Sequence, residues 1–114
     1  MLTDVELTQS ILRVLSAKTR VGNGFQKLTI TGASAQSLTI PEGTVCADIQ
    51  VESATTTGFV IRYLFEGNTT LPTTTNGIGL AHATVFDIPN GTLLSDFRAI
   101  AISGTHTLNI QYYK

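Results

Sequence analysis

The spacing of apolar residues changes once along this chain, at Gly24. Before it, Val5, Leu7, Ile11, Leu12, Val14 and Leu15 recur at helical spacing, whereas nearly every later apolar run alternates at period two. A helix turns its side chains through 3.6 positions and a strand through two, so each pattern can present one oily face in only one conformation. The pattern predicts an N-terminal helical arm over residues 1–24 and an all-β domain over 25–114.

Local signals mark the ends of the arm. Thr3-Asp4-Val5-Glu6 fits a capping box, in which the Thr3 hydroxyl accepts the amide of Glu6 and the Glu6 carboxylate reaches back to the Thr3 amide. Asp4 and Glu6 occupy the first turn and Arg13, Lys18 and Arg20 come later, which complements the helix dipole. The helix is expected over Thr3–Ala17, with Gly22-Asn23-Gly24 ending it. A helix of about four turns is marginal alone in water, because nucleation is costly and most stability comes from docking an amphipathic face. Val5, Leu7, Ile11, Leu12, Val14 and Leu15 are therefore the candidate oligomer or attachment interface.

Beyond Gly24 the turn residues are regularly spaced. Gly32, Pro41-Glu42-Gly43, Gly58, Glu66-Gly67-Asn68, Asn76-Gly77, Pro89-Asn90-Gly91 and Gly104 separate short runs. Strands are expected near Gln26–Thr31, Ser37–Ile40, Val45–Ser53, Phe59–Phe65, His82–Ile88, Phe97–Ser103 and His106–Tyr113. About seven short strands make an antiparallel β-sandwich or jelly roll the expected fold, preceded by one N-terminal α-helix. In the fourth of these, with the Glu66 that follows it, the expected faces are Phe59, Ile61, Tyr63 and Phe65 against Val60, Arg62, Leu64 and Glu66. The second of these is half apolar, so a cover is expected over it.

Composition narrows the function. Only 13% of residues are charged, against about 25% in ordinary soluble proteins, while 19 are Thr, so neutral hydroxyls must cover much of the surface. With a net charge of -1 and no Lys or Arg run, nothing attracts a phosphate backbone or an anionic membrane, so neither nucleic acid nor membrane is an expected partner. The opening MLTDVELTQS has no basic region, and no apolar stretch approaches the ~20 residues that span a bilayer.

Candidate chemistry is sparse. Cys46 is the sole cysteine and lies opposite the apolar stripe of its strand, which suits a packed or partly exposed thiol. His82 and His106 have no ligand neighbour at short metal-binding spacing, though pairing of their strands would bring the rings together. Asp48 and Glu52 share a strand face but stand about 13 Å apart, too far to work as an acid and base pair. Arg62 and Arg98, inside apolar strands, are expected to form ion pairs with nearby acids. No catalytic residues, metal ligands or cofactor are assigned. The Thr-rich segments Ser53–Thr57 and Asn68–Asn76 read as exposed loops whose hydroxyls are compatible with sugar contacts.

The stretches LTIPEGTVCADIQVES, FVIRYLFEG, LPTTTNGIGL and LSDFRAIAISGTHTLNIQYY, spread over Leu38–Tyr113, resemble a set of small proteins encoded among the structural genes of tailed bacteriophages and prophages. The shared features are a strand ending in Pro-x-Gly, an Ile-Gln-Val-Glu strand, an Arg-bearing strand before an acidic-Gly turn, a Pro-Thr loop, a Phe-Arg-x-Ile strand and a terminal Tyr-Tyr strand. The chain departs from them in the capped helix and in TTTGFV, where a shorter turn is usual. The resemblance implies a non-enzymatic virion component: a homo-oligomeric head fibre or capsid decoration protein, with a trimer the first expectation, attached through its N-terminal helix to capsid or tail subunits. Such a protein would be assembled in the host cytoplasm and reside in the virion. The alternatives are a tail accessory protein and a carbohydrate-binding β-sandwich that contacts host glycans through the Thr-rich loops.

Overall fold

The computed structural model describes residues 20–114, and the expected helix Thr3–Ala17 lies outside the described residues. The described part is mostly antiparallel β-structure, seven strands in two sheets. In chain order these are β1 (Gly22–Ile30), β2 (Cys46–Glu52), β3 (Phe59–Phe65), β4 (Ile78–Ala81), β5 (Val85–Ile88), β6 (Phe97–Ala101) and β7 (His106–Tyr113), with a one-turn helix α1 (Gly91–Asp96) before β6. One sheet has the order β1-β7-β2-β5 and the other β4-β3-β6.

Strict alternation explains β2 and β7. Ala47, Ile49 and Val51 line up beside Tyr112, Ile110 and Leu108, and all six side chains are buried. Ile61, Leu80, Phe97, Ala99 and Ala101 from the other sheet join the same apolar cluster. Tyr63, Phe65, Phe86 and Phe97 form an aromatic group at its side, with Tyr63 stacked on Phe86 at 5.4 Å between ring centres. Each large side chain fully removed from water contributes about 1.5–3 kcal/mol, so this cluster dominates the stability of the body.

Several expectations are corrected. Ser37–Ile40 is not a strand: only Gln36 bridges to Ala99, while Leu38 drops into the core. With a single inward anchor this segment serves as a cover along the exposed edge of β6, where Thr31 also accepts the Ala101 amide. Gly22-Asn23-Gly24 belongs to β1 rather than to a helix end, with a register shift between Gly22 and Phe25 and Gly24 at φ 114°. The strand expected at His82 begins at Val85, because His82 and Ala83 form the turn that carries the chain from one sheet to the other. Ala83 takes φ 68° there, and its amide and that of Val51 tie the crossover to β2 through Val51 and Thr84 carbonyls.

Three further differences have local causes. Asn76-Gly77, expected to separate two runs, leads directly into β4, a strand that was not expected. Gly79 lies beneath the Phe59 ring, where a Cβ would come within 2.5 Å of a ring carbon, so glycine here marks close approach. A bulge between Phe59 and Ile61 breaks the predicted face: Phe59 is exposed and Val60 buried. Pro89-Asn90-Gly91 does not simply break the chain, since the Asn90 side chain accepts the Leu93 amide at 2.9 Å and caps α1.

The half-apolar face of β3 is covered by its own loop. Arg62 donates from Nε to the Thr74 carbonyl at 3.2 Å and from Nη1 to that of Gly77 at 3.0 Å, and Pro72 is buried beneath the loop. Arg98 likewise donates to the Ser95 and Phe97 carbonyls and to the Asn68 side chain. Both arginines thus hold backbone rather than the expected acids. Strict alternation would put Val45 on the inward face with Ala47, Ile49 and Val51, but it precedes β2 and is exposed, while Cys46 is buried.

Candidate functional site

The predicted interface residues Val5, Leu7, Ile11, Leu12, Val14 and Leu15 lie outside the described residues. Within those residues, polar chemistry concentrates on the outer face of the four-stranded sheet. Register places three rows across it: Asp87, Asp48, Gln111 and Phe25; then Val85, Gln50, Asn109 and Lys27; then Glu52, Thr107 and Thr29. Each is the outward partner of an alternating strand whose other residues form the core.

One end of this face receives the chain from residue 20. The Arg20 guanidinium stands 3.9 Å from an Asp48 oxygen and 3.6 Å from an Asp87 oxygen, and 5.2 Å from the Tyr113 ring centre. The Tyr113 hydroxyl donates to Asp48 at 3.1 Å. Asp48 and Asp87 are thus the close carboxylate pair of the face, brought together by the pairing of β2 with β5 rather than by spacing along one strand. Partial burial, reinforced by a hydrogen bond with the Asp48 carboxyl, raises the Asp87 carboxyl above its ordinary value, against the pull of Arg20. Burial, then the bond to Asp48, raises the Tyr113 phenol as well. Val21 exchanges both backbone hydrogen bonds with Lys114, which fixes the entering chain beside the last strand.

At the other end of the face lies a cleft of about 470 Å³, lined by Lys27, Glu52, Ser53, Ala54, His82, Thr105, His106 and Thr107. A second hollow of about 350 Å³ adjoins it, lined by Gln50, Val51, Glu52, His82, Ala83 and Asn109. Glu52 and His82 form the wall common to both. The Glu52 carboxylate accepts the Asn109 amide at 3.0 Å and lies 3.8 Å from the Lys27 ammonium. The Asn109 bond first, and the Lys27 charge second, hold its carboxyl below the ordinary value.

Both histidines converge on Ser53. The Ser53 amide donates to Nδ1 of His82 at 3.0 Å, which leaves the ring proton of a neutral His82 on Nε2. His106 Nε2 faces the Ser103 carbonyl at 2.6 Å, so that nitrogen carries the proton and Nδ1 accepts the Ser53 hydroxyl at 2.7 Å. The Ser53 oxygen in turn accepts the Thr55 amide at 2.9 Å. This ordered Ser–His contact resembles half of a nucleophilic site, but the third partner is a backbone carbonyl rather than a carboxylate. The Thr55 amide, the nearest donor to the hydroxyl, is already committed to it. The contact fastens the end of β2 to the start of β7.

The strands expected to carry the two histidines do not pair, since β2 lies between β5 and β7, and the two rings are linked instead through Ser53. Among the described residues no group of three or more His, Cys, Asp or Glu side chains could hold a metal ion. No helix among them is long and apolar enough to cross a membrane. Gln50, Asn109, Lys27 and Phe25 escaped the sequence reading. Their outward parity was visible in it, but the cross-strand register that gathers them was not.

Searches of protein-family models, of curated proteins and of solved structures found no match to the chain.

Proposed function

We propose that this chain is a non-enzymatic structural subunit of a tailed-phage particle, a homo-oligomeric head fibre or capsid decoration protein whose two sheets form a β-sandwich or jelly roll. One observation supports the reading: the body of residues 20–114 has an apolar core of its own, while Val21, Phe25, Val45, Phe59, Ile78 and Val85 stay more than half exposed on its surface. Its two sheets close one apolar cluster, and among the described residues no buried side-chain nitrogen or oxygen lacks a partner. The incoming chain is already secured by Arg20 and Val21. On this reading the stripe of Leu7, Ile11 and Leu15, outside the described residues, is buried by a neighbouring subunit or by a capsid or tail protein. Full burial contributes about 1.5–3 kcal/mol per side chain, multiplied by the symmetry of an assembly.

The test is a full-length variant with Leu7, Ile11 and Leu15 each changed to Asp. Light scattering of the parent is expected to give an oligomer, with a trimer the first expectation, and the variant a monomer with unchanged β-sheet circular dichroism. The variant should also fail to enter particles. A parent that stays monomeric at high concentration and is absent from particles refutes the reading.

A second reading, a carbohydrate-binding module, is favoured by the Glu52–His82 cleft, where hydrogen-bond donors and acceptors of opposite charge stand side by side. The Ser53–Thr57 loop begins at its rim.

A further inference from the structure

We propose that the cleft walled by Glu52 and His82 is a saccharide-binding site. The proposal deepens the second reading above and rests on it.

The first argument is complementarity. Lys27 and the Nε2–H of His82 donate, Glu52 and the Asn109 side-chain carbonyl accept, and the Gln50 amide does both, all within two adjoining hollows. A sugar hydroxyl donates and accepts at once, so a row of them satisfies such a mixed wall. A simple anion would face the Glu52 carboxylate, and a simple cation the Lys27 ammonium. The hollows, at about 470 and 350 Å³, lie in the size range of small-molecule sites, about 300–1,000 Å³.

The second argument is register. Glu52 and Thr107 stand in one row of the outer face and Gln50, Asn109 and Lys27 in the next, so three strands bring the polar groups of the wall together.

The third argument is preorganisation. Asn109 and Lys27 hold the Glu52 carboxylate in place, and the two histidines fix Ser53 at the rim. A ligand would meet side chains already ordered, so little binding energy is lost in arranging them.

The experiment uses the isotope-labelled full chain, titrated to millimolar levels with glucose, galactose, N-acetylglucosamine and N-acetylneuraminic acid, alongside a printed oligosaccharide array. The expected result is array binding, with amide shifts at Lys27, Glu52, Thr107 and Asn109 for at least one sugar. Lys27→Met and Glu52→Gln, both exposed positions, should each weaken binding by about tenfold or more without changing the melting temperature. Array binding that persists undiminished in both variants overturns this site and leaves the carbohydrate reading standing. Absence of both array signal and amide shifts overturns the two together.

Discussion

Tyr112 gives the body a measurable alkaline limit. Its side chain is 1% exposed, on the core side of β7, and its hydroxyl donates to Oε1 of Gln26. The same oxygen accepts the Thr39 amide at 3.1 Å, so one contact joins β7, β1 and the segment that covers the edge of β6. Burial lifts the phenol from 10.0 to about 12. The folded protein therefore favours the neutral phenol. The stability that this provides is fully present below the unfolded value and is lost as pH rises through the folded one. At about 1.4 kcal/mol per unit, a shift of that size amounts to about 2.7 kcal/mol in all, of which about half is gone near pH 11. Tyr112→Phe removes the hydroxyl but leaves Gln26 its bond to Thr39, so it should cost about 1 kcal/mol at neutral pH. Urea unfolding of both proteins from about pH 8 to about pH 11.5 should give curves that converge and cross near pH 11. Ionisation of Tyr113 is common to both and cancels in the difference. Parallel curves would mean that the phenol ionises as readily folded as unfolded, and would refute the argument.

Three further outcomes are expected. Ser53→Ala strips His106 Nδ1 of its donor in a buried position and should destabilise by about 1–3 kcal/mol in thermal or urea unfolding, with no change if the contact is incidental. Asp87, whose carboxyl is raised chiefly by burial, binds its proton more tightly folded than unfolded, so its contribution is present at acid pH and lost as pH rises through the raised value. Asp87→Asn should remove that decline, and unfolding midpoints of the two proteins measured from about pH 3 to about pH 7 should diverge toward neutrality in favour of the variant. Asn90→Ala deletes the cap of α1 and should cost about 0.5–2 kcal/mol by the same measurements.

The sequence was most legible where a strand runs without interruption. β2 and β7 keep strict alternation, so the inward residues Ala47, Ile49, Val51, Leu108, Ile110 and Tyr112 could all be named from the pattern. The pattern failed where tertiary contacts bend the local rule. The bulge at Phe59 moves a large ring outward, and nothing in FVIRYLFE announces the extra residue. Gly79 reads as a turn residue because glycine usually is one, yet here it admits the Phe59 ring. Ser37–Ile40 has strand-like residues but no partner strand, and α1 is too short to show helical spacing. The candidate site was illegible for a related reason. Asp48 meets Asp87, and Ser53 meets His106, only through pairings between distant strands, and a single sequence carries side-chain parity but not register.

The two ends of the outer sheet face divide the work that the two readings require. Arg20, Asp48, Asp87 and Tyr113 fix where the N-terminal segment leaves the body, at one end of β2 and β7. Glu52 and the cleft lie at the other end, about 13 Å along β2 from Asp48. A subunit gripped through the segment before Arg20 would be held at the first end, with its mixed polar wall at the second facing away from the attachment. Exposed ion pairs contribute about 0–1 kcal/mol each, so the Arg20 cluster adds little to folding, and its value lies in direction. On the proposed attachment, replacing Arg20 would therefore disturb the angle at which copies are mounted far more than the stability of any one copy. On the two proposed readings, anchoring and recognition would be compatible in one chain, because they would use opposite ends of the same sheet rather than compete for one surface.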